Sequence, residues 1–357
     1  MLVASDSICN PDDTSEQQFA PFRRFRTELR QQLGLVIRYL TINAALSMSS
    51  SQIGRYDLIG LKLSFLTPAS EALRITQALK DSIAGSKSRL IIFDGDDDLN
   101  VLWPNTLSLA DLYVKKHAYR DRGEYAVPRI GKSNLTDYVA RTFGRSFAED
   151  RIPASVPFGP ALTEKIFVGW NIGVDDKIVG VAQRTLPSSP DNRAIDVASR
   201  AFAPPHLWIH PLRDPVARTL ESMAEEMRVS VPRHRVDQQE YYNEMLSATI
   251  CVSPFGYGEL CWRDFEAVLC GCLLVKPDMS HVETQPDIFI ADQTYAPVKW
   301  DYSDLREVCL KYLADTKLKN TLLANATNVV RAAHSADWFI GRVRSLLSAL
   351  NITIPAK

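Results

Sequence analysis

The chain has 357 residues, of which 46% are hydrophobic and 23% charged, and its formal net charge is −1. This balance is typical of a soluble globular protein, and the length allows two domains with a core each. There is no surplus of positive charge for a nucleic-acid partner. No apolar run is long enough to span a membrane, and Ser5, Asp6 and Ser7 stand where a signal peptide would continue. We expect a cytoplasmic protein, with contact at the inner face of the membrane left open.

The cysteines indicate a reducing compartment rather than a metal site. They lie at positions 9, 251, 261, 270, 272 and 309. The pair in Cys270-Gly-Cys272 is too tight for a zinc clamp without a second pair. We expect buried, reduced thiols and no resident metal.

The N-terminal half reads as alternating strands and helices. The apolar spacing predicts, in chain order, a basic amphipathic helix at 19–33, strands at 34–42 and 57–65, a helix at 68–84, and strands at 89–93 and 110–114. Strands joined through helices form parallel sheets with right-handed crossovers. Ligands of such sheets bind at the carboxyl ends of the strands.

One of these strand ends carries an acidic cluster, Asp94-Gly-Asp-Asp-Asp98. Carboxylates this close repel one another unless a cation, donors or water offset the charge. Three readings stay open at this point. The cluster holds Mg²⁺ or Mn²⁺ on a diphosphate, or one of Asp94, Asp96 and Asp98 is the base that deprotonates an acceptor hydroxyl, or the cluster is a solvated turn that caps its neighbour.

The middle of the chain predicts a join between two domains. Residues 120–165 are rich in proline and glycine and predict a long loop, and 165–173 predict a last strand of the first domain or a strand leading out of it. Residues 186–192 predict a linker. A strand at 194–199 then opens the second domain, followed by a helix at 210–227 that carries Arg213 and Arg218. Either arginine is a candidate for a phosphate, the alternative being a solvated helix face.

Residues 249–278 form the most informative unit of the chain. Strands at 249–253 and 273–275 flank a loop with Gly256 and Gly258, then a helix that carries Arg263 and Glu266. Glycines let the backbone approach a ligand, and the first turn of a helix favours an anion. An arginine there adds donors that suit phosphate, while Glu266 suits the hydroxyls of a ribose. The alternative interpretation is that the unit is only a buried strand–helix–strand crossover, in which Arg263 forms a surface ion pair with Glu259 or Glu266.

Pro254-Phe-Gly-Tyr-Gly258, Arg263, Glu266-Ala267 and Gly271-Cys-Leu-Leu-Val275 resemble the nucleotide-sugar half of exostosin-type glycosyltransferases. The resemblance implies an α/β GT-B enzyme of two Rossmann-like domains with an interdomain cleft, whose C-terminal domain binds the donor without an obligatory metal. Glu259 and Glu266 are seven positions apart, whereas retaining relatives space this pair by eight. This difference favours an inverting enzyme.

Downstream of that unit, His281 follows a strand end and is a candidate to touch a donor phosphate or the acceptor, the alternative being a structural role. A strand or turn at 297–301 and a helix at 303–314 continue the second domain. A final helix at 337–350 is expected to cross back to the N-terminal domain.

Together these features predict a glycosyltransferase that moves a sugar from a UDP- or GDP-sugar to a hydroxyl of a glycan or glycolipid in cell-surface polysaccharide synthesis. We assign residues 1–185 to an acceptor domain, 186–335 to a donor domain and 336–357 to the returning helix. The predicted donor-binding residues are Gly256, Tyr257, Gly258, Glu259, Arg263, Glu266, Arg213 and Arg218, and the predicted catalytic residues are Asp94, Asp96, Asp98 and His281. The alternatives are a non-catalytic nucleotide- or sugar-binding module and a metal-dependent GT-A enzyme that uses the acidic cluster.

Overall fold

Two parallel β-sheets, one in each half of the chain, form the framework of the computed structural model, which describes residues 1–6, 16–147, 150, 152, 154–183 and 193–353. The strands are β1 (Leu2–Ser5), β2 (Arg38–Thr41), β3 (Leu58–Lys62), β4 (Arg89–Asp94), β5 (Leu112–Lys115), β6 (His117–Tyr119), β7 (Ile166–Val168), β8 (Ile195–Ala198), β9 (Val229–Ser230), β10 (Ala248–Val252), β11 (Leu273–Pro277), β12 (Val282–Thr284) and β13 (Ala296–Val298).

Helices cover both sheets. They are α1 (Ala20–Arg24), α2 (Arg26–Leu33), α3 (Ile42–Leu46), α4 (Ser50–Ile53), α5 (Ala69–Ser82), α6 (Asn134–Phe143), α7 (Pro160–Thr163), α8 (Asp176–Ala182), α9 (His210–Ser222), α10 (Gln238–Ser247), α11 (Trp262–Leu269), α12 (Leu305–Ala314), α13 (Thr316–Ala333) and α14 (Ala336–Ala349). Among the described residues, none of these helices is both long and apolar enough to cross a membrane.

The N-terminal sheet has six parallel strands in the order β2-β1-β3-β4-β5-β7. Its interior strand β1 was missed by the sequence analysis, which took residues 1–4 only as evidence against a signal peptide. All four residues of β1 are buried, and both edges of the strand are paired, with Val3 opposite Tyr39 and Gly60. A strand buried on both faces shows no alternation, and four residues are too few for a pattern to be recognised.

The C-terminal sheet has five parallel strands in the order β13-β11-β10-β8-β9. Its centre is the predicted strand–helix–strand unit, in which β10 and β11 pair in parallel, with Ile250 opposite Leu273, and α11 lies between them in the chain. The two-sheet α/β fold class predicted from the sequence is confirmed.

The predicted long loop at 120–165 is partly wrong, because it contains the helices α6 and α7. Ser133 begins α6 with a capping box, Leu135 and Val139 are buried on one face, and Gly144 ends it at a φ of 65°. The prolines and glycines of this region therefore flank the helix rather than replace it. Likewise, the basic helix predicted at 19–33 breaks at Phe25 into α1 and α2, and the linker predicted at 186–192 lies outside the described residues.

A third, two-stranded sheet joins the two halves of the chain. Strand β6 from the N-terminal half pairs antiparallel with β12 from the C-terminal half, with His117 opposite Thr284 and Tyr119 opposite Val282. The backbone N–H of Arg120 continues the pairing with a bond to the carbonyl of His281 (2.8 Å). We call β6, β12 and this bond the interdomain ladder, and nothing in the sequence pattern predicted it.

The last helix packs on the N-terminal half of the chain. On α14, the ring of Phe339 contacts Phe22 and Trp170 edge-on, with centroid distances of 5.1 and 4.9 Å. All three side chains are buried in one apolar cluster with the outer face of the N-terminal sheet. The helix therefore joins that core, although it lies at the far end of the chain.

We expect Phe339→Ala to destabilise the protein by about 3–5 kcal/mol, because it leaves a cavity inside this aromatic cluster. Urea unfolding followed by tryptophan fluorescence measures the change. Leu310→Ala is the control, since Leu310 is 41% exposed and its truncation leaves no cavity. Equal, small losses in both variants would contradict the packing of α14 described above.

Candidate functional site

The loop before α11 is held in place by a buried carboxylate. Asp264, fully buried in the first turn of the helix, accepts hydrogen bonds from the Ser253 hydroxyl (2.6 Å) and the Cys261 backbone N–H (3.0 Å). The ammonium of Lys276, at the end of β11, lies 3.2 Å from the same carboxylate. The strand ends, the loop and the start of α11 are thereby held together by one buried ion pair.

A cleft of about 480 Å³ opens beside this loop. Basic side chains dominate its polar lining, and apolar and aromatic side chains form the rest. Its lining residues are Lys177, Arg200, Phe202, Ala203, Pro204, Leu207, Ile209, Arg213, His234, Arg235, Val236, Asp237, Gln238, Tyr241, Tyr257, Arg263 and Glu266.

Two guanidinium groups, those of Arg213 and Arg263, line the cleft. Arg213 donates to the carbonyls of Phe255 (3.1 Å) and Phe202 (3.3 Å). Burial, and then the charge of Arg263, lowers the pKa of Arg213 to about 10. The Nε and Nη1 atoms of Arg263 are buried and have no hydrogen-bond acceptor among the described residues. Arg213 and Arg263, both predicted from the sequence, therefore form a positively charged site that suits an anion.

Gly256 explains how an arginine can lie against the loop. A Cβ at this position would be 2.8 Å from Nη2 of Arg213, so a side chain here would displace the guanidinium. The backbone N–H of Gly256 donates to the carbonyl of Gly258 (3.1 Å), which closes the loop on itself. That amide is therefore already used within the loop.

Glu266 lines the same cleft, but its carboxylate already has three partners. Its two oxygens accept from the phenols of Tyr241 (2.7 Å) and Tyr242 (2.8 Å), and Lys177 Nζ lies 3.1 Å away. Lys177 comes from α8 and also lies over the ring of Trp262, 3.7 Å from its centroid. Sequence reasoning missed these partners, since no motif links 177 or 241 to the glutamate.

Arg218 lies outside the cleft. Its side chain is 76% exposed and pairs with Asp214, one turn earlier on α9. Only Arg213 of the two candidate arginines on this helix lines the site, because the two are five positions apart and face different sides of the helix.

The acidic cluster meets the glycine loop across the domain interface. A Cβ on Gly258 would be 1.4 Å from the carbonyl oxygen of Asp97, so only glycine allows this backbone contact. Lys132 completes the junction, because its ammonium donates to the Tyr257 carbonyl (3.2 Å) and lies 3.4 Å from the Asp98 carboxylate. Two motifs far apart in the sequence therefore belong to one site.

The carboxylates of Asp94 and Asp98 already accept hydrogen bonds from groups of the protein itself. Asp94 is fully buried and accepts from the Tyr113 hydroxyl (2.8 Å) and Lys115 (3.2 Å). Burial raises its pKa, but Lys115 and the other donors outweigh this and hold the pKa of Asp94 below the ordinary value. Asp98 is equally buried and accepts from the Ser133 hydroxyl and the Asn100 N–H, each at 2.8 Å. Burial raises the pKa of Asp98, although the charge of Lys132 opposes this. Both carboxylates hold the loop through their hydrogen bonds.

Asp96 differs from its neighbours. Its side chain is 17% exposed, and its nearest charged partner, Lys132, is 4.0 Å away. Burial and the charges of Asp94 and Asp98 raise the pKa of Asp96 to about 6. A carboxylate with these properties can accept a proton near neutral pH.

Glu259 is a buried carboxylate between two histidines. Neither of its oxygens has a hydrogen-bond partner among the described residues. One lies 3.8 Å from Nε2 of His117 on β6, and the other lies 3.9 Å from Nε2 of His281. Burial, then Lys115 and Lys116, lowers the pKa of His117 well below its ordinary range, so this imidazole is neutral. His281 was predicted as a site residue, whereas His117 was missed because a lone histidine in a strand carries no signal.

Within the described residues, no group of three or more histidine, cysteine, aspartate or glutamate side chains has the geometry to hold a metal ion. The described cysteines, at 251, 261, 270, 272 and 309, are free thiols, and Cys9 lies outside the described residues.

No protein-family model and no curated protein sequence matches the chain. Among solved structures, an alpha-glucosyltransferase in complex with UDP-glucose and DNA containing an abasic site superposes with a TM-score of 0.51 at 10% identity, over 97% of this chain and 98% of that chain. An alpha-glucosyltransferase in complex with UDP and a 13-mer DNA containing an HMU base gives the same TM-score, identity and coverage. These similarities show a GT-B fold of two Rossmann-like domains, which is not the fold of the GT-A alternative.

The change in melting temperature that Asp96→Asn causes should be more favourable at pH 8 than at pH 4. The pKa of Asp96 in the folded state, about 6, exceeds the ordinary value of 3.8. Ionised Asp96 therefore destabilises the fold, an effect that is absent below pH 3.8 and complete above about pH 6.

Thermal melts of the wild type and of Asp96→Asn between pH 4 and pH 8 test the prediction. Asp97→Asn is the control, because Asp97 is 58% exposed and pairs with Lys116. A loss of melting temperature in Asp96→Asn that is the same at both pH values would contradict the assignment.

Proposed function

We propose that the protein is a glycosyltransferase that moves a sugar from a nucleotide-diphosphate sugar to a hydroxyl of a glycan or glycolipid. The observation that carries the proposal is the pair Arg213 and Arg263. Both guanidiniums line the cleft, and two buried donors of Arg263 have no acceptor among the described residues. Buried cations of this kind are stable only when an anion balances their charge. The oxygens of a diphosphate can accept hydrogen bonds from both guanidiniums.

The remaining cleft residues suit the other parts of such a donor. Aromatic and apolar side chains, among them Phe202 and Tyr257, offer flat surfaces for a base. Glu266 faces the cleft and would share its oxygens between two tyrosines and a ribose. Glu259, unpaired between His117 and His281, offers acceptors to the hydroxyls of the transferred sugar.

Asp96 is the base that we propose for the transfer. It takes the proton of the acceptor hydroxyl as the oxygen forms a bond to the anomeric carbon. The bond from that carbon to the diphosphate breaks, and Arg213 and Arg263 stabilise the charge that develops on the leaving group. Displacement from the opposite face inverts the anomeric centre. His281 is proposed to hold the sugar through Glu259 rather than to act as the base.

The finer assignments rest on the motif at 254–275. They are an exostosin-like subtype, a UDP- or GDP-sugar as donor, metal independence, and a role in polysaccharide synthesis on the cytoplasmic side of the membrane. The acidic cluster supports metal independence, since Lys115 and Lys132 already balance the charges of Asp94 and Asp98.

Arg263→Ala should weaken binding of UDP or GDP by about 10- to 100-fold, the value of one or two lost charge-assisted hydrogen bonds. Isothermal titration with each nucleotide measures the loss. Arg218→Ala is the matched control, an arginine on the same domain that lies outside the cleft. Excess EDTA should leave the wild-type affinity unchanged. Equal affinity in Arg263→Ala and wild type would remove the phosphate role.

The stereochemical outcome tests the displacement. Proton NMR of the sugar first released from UDP-glucose by slow hydrolysis should show the β anomer, the inverted product of an α-linked donor. Asp96→Asn should lower this rate by at least about 100-fold, as expected for loss of a general base, while Asp97→Asn keeps it. Release of the α anomer would show a retaining enzyme.

A further inference from the structure

The interdomain ladder is more than a surface contact, since nearly all of its residues are buried. His117, Ala118, Tyr119, Val282 and Thr284 expose 3% or less of their surface. Ion pairs from Arg122 to Glu283 and from Arg120 to Asp287 cover its rim.

Asn171, which follows β7, ties the N-terminal half to the end of the ladder with three hydrogen bonds. Its backbone N–H donates to the carbonyl of Gln285 (2.6 Å), and its side-chain amide donates to the Thr284 hydroxyl and the Pro286 carbonyl, each at 2.8 Å. Its amide oxygen accepts from Gly173 N–H (2.8 Å). Asn171 is 2% exposed, so each of its polar groups is satisfied inside the protein.

Thr284 extends this hydrogen-bonded connection from Asn171 to the start of β6. Its hydroxyl accepts from Asn171 and donates to the carbonyl of Lys116 (3.1 Å), the residue before β6. Separating the two halves here would break these hydrogen bonds and expose the buried apolar residues of the ladder to water. A swing of one domain away from the other is therefore strongly disfavoured at this interface.

The ladder also determines the geometry of the site. It carries His117 at the start of β6, and His281 directly precedes β12, so each half of the chain supplies one imidazole within 3.9 Å of Glu259. Opening of the ladder would separate the two histidines and take His117 away from the Glu259 carboxylate.

We propose that Asn171 and Thr284 are positioning residues that keep both halves of the site assembled before the donor binds, so that donor binding proceeds without rigid-body closure of the domains. The proposal rests on the proposed function for its catalytic consequence. The assembled state itself is a property of the ligand-free protein.

Thr284→Val tests the proposal, since it removes the bridging hydroxyl without a change of shape or charge. The matched control is Thr294→Val, because Thr294 is also buried and its hydroxyl donates to the carbonyl of Ile288 (2.8 Å) within the C-terminal half. Hydrogen exchange of the ladder amides in the ligand-free protein, small-angle scattering with and without UDP, and turnover of UDP-glucose are the measurements.

In wild type and Thr294→Val we expect protected ladder amides without ligand and a radius of gyration that UDP leaves unchanged. In Thr284→Val we expect at least about tenfold faster exchange of these amides. We also expect kcat about tenfold lower with little change in KM, because the site is misplaced and not destroyed.

Ladder amides that become protected only with UDP, together with a smaller radius of gyration on binding, would overturn the proposal. An equal loss of kcat in both threonine variants would also overturn it, since the effect would then be one of general stability. If neither UDP nor GDP binds, the proposed function fails, and exchange in the ligand-free protein still decides whether the two halves are held together.

Discussion

The site depends on one constraint, the hydrogen-bonded strand pair between the two halves of the chain. Each parallel sheet presents loops at its carboxyl edge, but neither set of loops has both the arginines and the acidic cluster. The interdomain ladder sets the two edges face to face at a fixed distance. The contact between Gly258 and Asp97 and the position of Lys132 follow from that placement. A sheet-like joint is stiffer than a side-chain interface because its register admits one alignment only.

Each loop set is in turn held by a buried lysine–aspartate pair. Lys115 with Asp94 holds the acidic loop, and Lys276 with Asp264 holds the glycine loop. Burial of such pairs gives little net stability, since desolvation of the charges offsets their attraction. Their benefit is geometric, because each aspartate also accepts bonds from backbone amides and hydroxyls that define the loop. Burial and the charges of the neighbouring carboxylates raise the pKa of Asp96 to about 6, which suits it to take a proton.

Much of the C-terminal half was predictable because its signals are local. Two apolar runs, a glycine loop and a helix start lie within residues 249–278, and the structure has them as β10, α11 and β11. Gly256 and Arg263 were singled out from the same local signals, since a loop that approaches a ligand needs glycine and an anion needs a cation. Arg218 shows the limit of such reasoning, because residue type alone could not tell which face of α9 points to the cleft.

By itself, the sequence determined the α/β class, the strand–helix–strand unit and the candidate groups, since periodicity and turn chemistry act over a few residues. The tertiary structure alone decided which groups meet. It placed β1 inside the first sheet, paired β6 with β12, brought His117 and His281 to Glu259, and left Asp96 partly exposed beside Lys132. These are contacts between residues far apart in the chain, and their energies depend on burial and distance, which only the folded state sets.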